Sequence, residues 1–117
     1  MHLTEMIFDG PTPIDGYGPG FFRINGQVHQ GGILLLPGRA EPWRGLGDWD
    51  RFLQSAAQID VVFLGMGAEI SALSAEHRRI FDEAGLGVEV MSSPAACRTY
   101  NVLLSEGRRI AAGLLPV

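Results

Sequence analysis

The sequence predicts an α/β sandwich: one domain with a mixed, partly parallel sheet, an N-terminal β-hairpin, and then helices alternating with strands. Three observations carry this reading. First, Asn25-Gly26 separates two β-type runs, Phe21–Ile24 and Gln27–Gln30; an Asn-Gly pair is the strongest short hairpin signal, because a type I′ turn needs positive φ at both central residues. Second, short apolar runs (Ile33–Leu36, Val61–Leu64, Ile110–Leu115) are separated by amphipathic stretches of helical period. Third, the last third of the chain, from Gly87 to Ile110, reads as strand, capped helix, strand.

Taken in order, residues 1–20 hold Gly10, Pro11, Pro13, Gly16, Gly18, Pro19 and Gly20, which predicts an irregular arm pinned by Phe8, Ile14 and Tyr17. The hairpin follows. Gly31-Gly32 marks a bulge or a close approach of backbone. Ile33–Leu36 is a buried strand closed by Pro37-Gly38, and Arg39–Gly47 reads as a loop containing Trp43. Asp48 is placed to cap a helix running to Gln58, with Trp49, Phe52, Leu53, Ala56 and Ala57 on one stripe. Val61–Leu64 is a short buried strand ended by Gly65-Met66-Gly67. Ser74 caps a second helix that carries Ile80, Phe81 and Ala84 and stops at Gly85. Val88 and Val90 form a short strand. Ser93 is read as the cap of the last helix, with Pro94 in the first turn and Gly107 beyond its end. Its stripe is Ala96, Cys97, Tyr100, Leu103 and Leu104, with Arg98 and Asn101 on the other side. No repeat or linker interrupts this order, so 1–117 is expected to be a single domain.

Composition narrows the chemistry. The chain has 117 residues, 46% of them hydrophobic, and a net charge of −4. That length supports a real core, and the negative charge argues against nucleic acid as a partner. No apolar run is long enough to span a bilayer, and the N-terminus has no basic segment ahead of an apolar one, so membrane insertion and secretion are not expected. The single cysteine, Cys97, permits no internal disulfide and suits a reducing, cytoplasmic setting. All nine basic residues are Arg, which excludes a lysine Schiff base and a phosphate-loop lysine. No cofactor is expected, and no His or Cys spacing suggests a metal.

Topology places the candidate site. Ligands of open α/β sheets sit beyond the carboxyl ends of parallel strands. Gly65, Gly67 and Glu69 should meet Ser92 and Ser93 there, at the N-terminus of a helix, where free N–H groups suit an anion. The same glycines equally serve to turn the chain, and the serines equally serve as caps. Arg98 and Asn101, one turn apart, either bind an anion or a partner carboxylate or face water. Trp43 is either a lid on the core or an exposed anchor for another protein.

The segments Val28–Pro37 and Val61–Gly67 resemble a family of small α/β domains of unknown function from bacteria and archaea, as above all does the run Gly87-Val-Glu-Val-Met91…Ala95-Ala96-Cys97-Arg98-Thr99-Tyr100-Asn101…Glu106-Gly107-Arg108-Arg109. That family also contains the mitochondrial assembly factor 3 of respiratory complex I. It usually carries Gly-Thr-Gly where this chain has Gly65-Met66-Gly67. The resemblance implies a three-layer α/β fold, carries no established enzyme activity, and, through the mitochondrial member, points to protein contacts in the assembly of a membrane complex. The expectation is a non-catalytic protein-binding or assembly-type factor. The alternative is a small-anion-binding protein or enzyme that uses the Gly65-Met66-Gly67 loop and the N-terminus of the 94–106 helix.

Overall fold

The computed structural model describes the backbone of Met6–Ile7 and residues 13–117. Its strands are β1 (Met6–Ile7), β2 (Ile14–Gly18), β3 (Phe21–Ile24), β4 (Gln27–Gln30), β5 (Ile33–Leu36) and β6 (Arg39–Pro42), followed by β7 (Val61–Met66), β8 (Gly87–Met91) and β9 (Ile110–Leu115). The helices are α1 (Asp50–Gln54), α2 (Ala75–Glu83) and α3 (Ser93–Ser105). Six strands form one mixed sheet in the order β1-β6-β5-β9-β7-β8, and β2-β3-β4 form a small antiparallel sheet. β9, β7 and β8 run parallel, while β5 and β6 are antiparallel to their neighbours.

The large sheet is buried on both faces, which is why β5, β7 and β9 are continuous apolar runs with no alternation. Ile33, Leu35, Phe63, Ile110, Ala112 and Leu114 face one core, shared with Phe22 and Ile24 of the small sheet and with Ala96, Cys97 and Tyr100 of α3. Leu34, Leu36, Val62, Leu64 and Ala111 face the other, shared with Trp43, Trp49, Phe52 and Phe81. The expected three-layer α/β fold is therefore the observed one. Asn25 and Gly26 have φ of 51° and 77°, as a type I′ hairpin requires. The carbonyl of Trp43 lies 2.5 Å from where a Cβ on Gly32 would stand, so Gly32 serves the expected close approach.

Four local expectations need correction. The arm is not irregular over 14–18: Ile14 is buried, and β2 pairs with β3 across a Pro19-Gly20 turn. The ring of Phe21 covers Gly18, where any Cβ would collide with it, so a glycine serves this strand as an aromatic seat. Phe8 lies outside the described residues. Arg39–Pro42 is a strand, not a loop, because Pro37-Gly38, with φ of 78° at Gly38, makes the tight turn that returns β6 onto β5. Asp48 caps nothing. Its carboxylate accepts hydrogen bonds from the Arg44 N–H and the Arg51 guanidinium, so the helix begins at Asp50 and lasts five residues before a short 3-10 turn at Ala56–Gln58. The cap of α3 is Ser92, whose hydroxyl accepts from the Ala95 N–H at 3.3 Å; Ser93 is the first helical residue.

Candidate functional site

β7 leads through α2 to its neighbour β8, and β8 leads through α3 to β9 on the far side of β7. α2 and α3 pack into opposite cores. The chain thus reverses its winding at β7, and the crevice expected at such a point lies beyond Gly65 and Met66. As expected, the Gly65–Gly67 loop and the start of α3 meet there. Their meeting, however, leaves little room for a ligand.

Ser93 fills the crevice. It is 1% exposed, its hydroxyl accepts from the Gly67 N–H at 2.9 Å, and it donates to the Leu115 carbonyl at 2.5 Å. Its own N–H donates to the Gly67 carbonyl at 2.7 Å. One side chain thereby ties together the ends of β7 and β9 and the helix that follows β8. A Cβ on Gly65 would stand 2.8 Å from Ser93 Cα and Oγ and from Leu114, so this glycine exists to admit the serine. The donors of the first helical turn are also accounted for. Ser93 gives its N–H to Gly67, Pro94 has none, Ala95 bonds the Ser92 hydroxyl, and Ala96 bonds the Ser92 carbonyl at 2.9 Å. A helix N-terminus attracts anions through unsatisfied N–H groups, and here the fold itself uses them.

The remaining expected residues do not converge on this point. Glu69 and Arg98 are exposed. Asn101 donates to the Ile14 carbonyl and accepts from the Ile14 N–H, both at 2.8 Å, so its amide joins α3 to β2 like a further strand. Trp43 is the lid on the core and not a surface anchor: it is 4% exposed, its ring lies over Gly113, and Nε1 donates to the Asp48 carbonyl at 3.1 Å. Burial pushes the Cys97 thiol up to about 11 and the Tyr100 hydroxyl up to about 12, away from any role as a nucleophile or base near neutral pH. Arg51 bridges Glu41 and Asp48 beside Pro42, which fixes the loop under Trp43. Among the described residues, no group of three or more His, Cys, Asp or Glu is placed to hold a metal ion.

The sequence reading missed an open groove of about 540 Å³ beside β8, lined by Ile70, Leu73, Arg78, Val88, Glu89 and Val90 among others. Its signal was present. Val88-Glu89-Val90 alternates where β7 is continuously apolar, and a charge inside a short strand is a mark of a sheet edge.

The fold and crevice define a three-layer α/β domain whose strand-end site is closed by its own serine. The chain belongs to the family described as protein of unknown function (DUF498/DUF598), whose pattern matches residues 14–115. An uncharacterised protein of Rhodobacter capsulatus is 49% identical over 117 residues, covering 100% of this chain and 94% of that one. The NADH dehydrogenase [ubiquinone] 1 alpha subcomplex assembly factor 3 of Danio rerio is 37% identical over 112 residues; the match covers 90% of this chain but 64% of the assembly factor, less than two thirds of its length. A crystal structure of a Bartonella henselae protein, described as an outer membrane protein, superposes with a TM-score of 0.84 at 38% identity, covering 92% of this chain and 97% of that one. Among the described residues of the present chain, no helix is long and apolar enough to cross a membrane.

Proposed function

We propose that this protein acts by binding other proteins, as an assembly-type factor, and that subunits of an NADH dehydrogenase are the first partners to test. The observation that carries this reading is the closure of the strand-end crevice by Ser93, with every amide of the first turn of α3 engaged within the fold. A small-molecule site at the position this topology favours would have to displace those bonds. The relatives named as assembly factors supply the direction: they match nearly the whole of this chain, so the shared part is the part available to make such contacts.

The test is affinity capture of the chain, tagged at its native expression level, with chemical crosslinking and quantitative mass spectrometry. Enrichment of NADH dehydrogenase subunits over an untagged control is expected. The anion-binding alternative is tested beside it by thermal melts across a phosphate series at constant ionic strength. A saturable rise in Tm that disappears in Arg98→Ala, together with no enriched protein, overturns the proposal.

A further inference from the structure

The β8 edge of the large sheet is a different kind of site from the crevice. Among the described residues, β8 pairs with β7 on one side only. The Gly87 N–H donates to Asp60 on the β7 side, and strand alternation therefore turns the backbone groups of Gly87, Glu89 and Met91 toward β7. The N–H and C=O groups of Val88 and Val90 point away from the sheet. They border the groove whose opposite wall is the 70–74 segment and Arg78 of α2. Ile70, at 69% exposed, is the most exposed of the large hydrophobic residues described and lies on that wall. Glu89 is exposed and makes no salt bridge among the described residues, and neither does Arg78.

We infer that β8 accepts an extended segment of a partner protein as a seventh strand of this sheet, and that the segment reads apolar–basic–apolar. Backbone pairing with Val88 and Val90 supplies the common affinity of strand addition, and alternate side chains supply selectivity. Val88 and Val90 lean into the core on the α2 side, so residues of the added strand on that side meet Ile70 and Leu73 and are apolar. The residue between them faces the side of Glu89 and is Lys or Arg, since opposite charges across a strand pair stabilise it.

A second copy of this chain fits poorly. The antiparallel two-fold register that pairs Val88 of one copy with Val90 of the other places Glu89 directly opposite Glu89, and like charges in that position are destabilising. The inference rests on the protein-binding reading and adds the surface and the chemistry of the segment.

The probe is the capped peptide Thr-Val-Lys-Val-Thr, titrated into the isotope-labelled full chain and followed by NMR and amide hydrogen exchange. Slowed exchange at Val88 and Val90, with shifts confined to residues 70–78 and 87–91, is expected. The sharper arm is a charge swap. Glu89→Lys should weaken this peptide by about threefold or more and gain as much for the Thr-Val-Glu-Val-Thr version, as the cross-strand pair energy converts. The swap leaves the backbone intact, so it does not depend on a variant that fails to fold. Val88→Pro, which removes an outward N–H at an edge position, should abolish binding of both peptides. No change at Val88 and Val90 with millimolar peptide, or indifference to the swap, overturns the inference. A concentration-dependent dimer by sedimentation that Val88→Pro disrupts also overturns it, by making the occupant a second copy. If edge binding fails while crosslinking still captures NADH dehydrogenase subunits, the edge assignment alone falls; if neither is seen, the protein-binding reading falls with it.

Discussion

The two faces of the central sheet are covered by different means. On one side α3, thirteen residues long, lies with the small β2-β3-β4 sheet over a mostly aliphatic core that also holds Phe22, Phe63 and Tyr100. On the other side α1 is five residues long and α2 nine, and the cover is an aromatic cluster gathered from these helices and the segment at Trp43. Trp49 and Phe81 have ring centroids 5.0 Å apart, Phe52 and Phe81 6.1 Å, and Trp43 and Trp49 6.2 Å. A regular helix can cover a sheet with modest side chains because its stripe is continuous. Short elements cannot, so large rings span the gaps between them. The helical face should therefore tolerate single truncations better than the aromatic face.

The largest expected effect tests that contrast directly. Phe52 is fully buried and packs beside three rings, those of Trp43, Trp49 and Phe81. Phe52→Ala should cost about 3–5 kcal/mol, the usual range for emptying an aromatic core site. A loss below about 1 kcal/mol in a urea titration would mean that the aromatic face repacks freely, and the contrast would fail.

The same difference governs how much of the fold was legible. α3 announces itself through Ala96, Cys97, Tyr100, Leu103 and Leu104 at helical spacing, and Gly107, with φ of 78°, ends it as read. The stretch from Asp48 to Gln58 has the same periodicity, yet its helix begins only at Asp50, because Asp48 is engaged by Arg44 and Arg51 instead of capping, and it gives way to a 3-10 turn after Gln54. Periodicity reports which residues face the core; it does not report that a cap has found other partners. The topology of the crevice was legible in the same sense. Its closure was not, since it depends on Ser93 meeting the Leu115 carbonyl, 22 residues away in sequence.

On the helical face the second-largest effect belongs to that serine. Ser93→Ala removes the acceptor for the buried Gly67 N–H and the donor for Leu115, and should cost about 1–3 kcal/mol, as leaving buried groups unpaired does. A neutral Ser93→Ala would show that water replaces the hydroxyl and that the crevice can open, which would strengthen the anion-binding alternative. Leu103→Ala should cost less than a core leucine. Leu103 is only half-buried, packed against the cluster's rim and not within it, so about 1–2 kcal/mol is expected, below the usual core range. A larger loss would place the helical face on a par with the aromatic one.

The smallest effect concerns a polar group that the small sheet hides. His29, opposite Phe22 in the β3–β4 ladder, is 2% exposed, and neither ring nitrogen has a partner among the described residues. Burial holds its pKa below the ordinary 6.5, because a charged imidazolium there would lack solvation. The sign follows. Below pH 6.5 the unfolded chain takes up a proton at His29 that the folded chain refuses, so stability falls as pH drops toward the folded-state value and is fully present above 6.5. His29→Leu should remove that part of the pH dependence and raise stability by about 1 kcal/mol at neutral pH, since two unpaired buried nitrogens are replaced by methyl groups. Urea titrations of both chains from pH 5 to 8 read the difference, which should widen toward acid. A constant difference across the series would mean that His29 keeps its ordinary pKa, and so that the small sheet admits water to its ring.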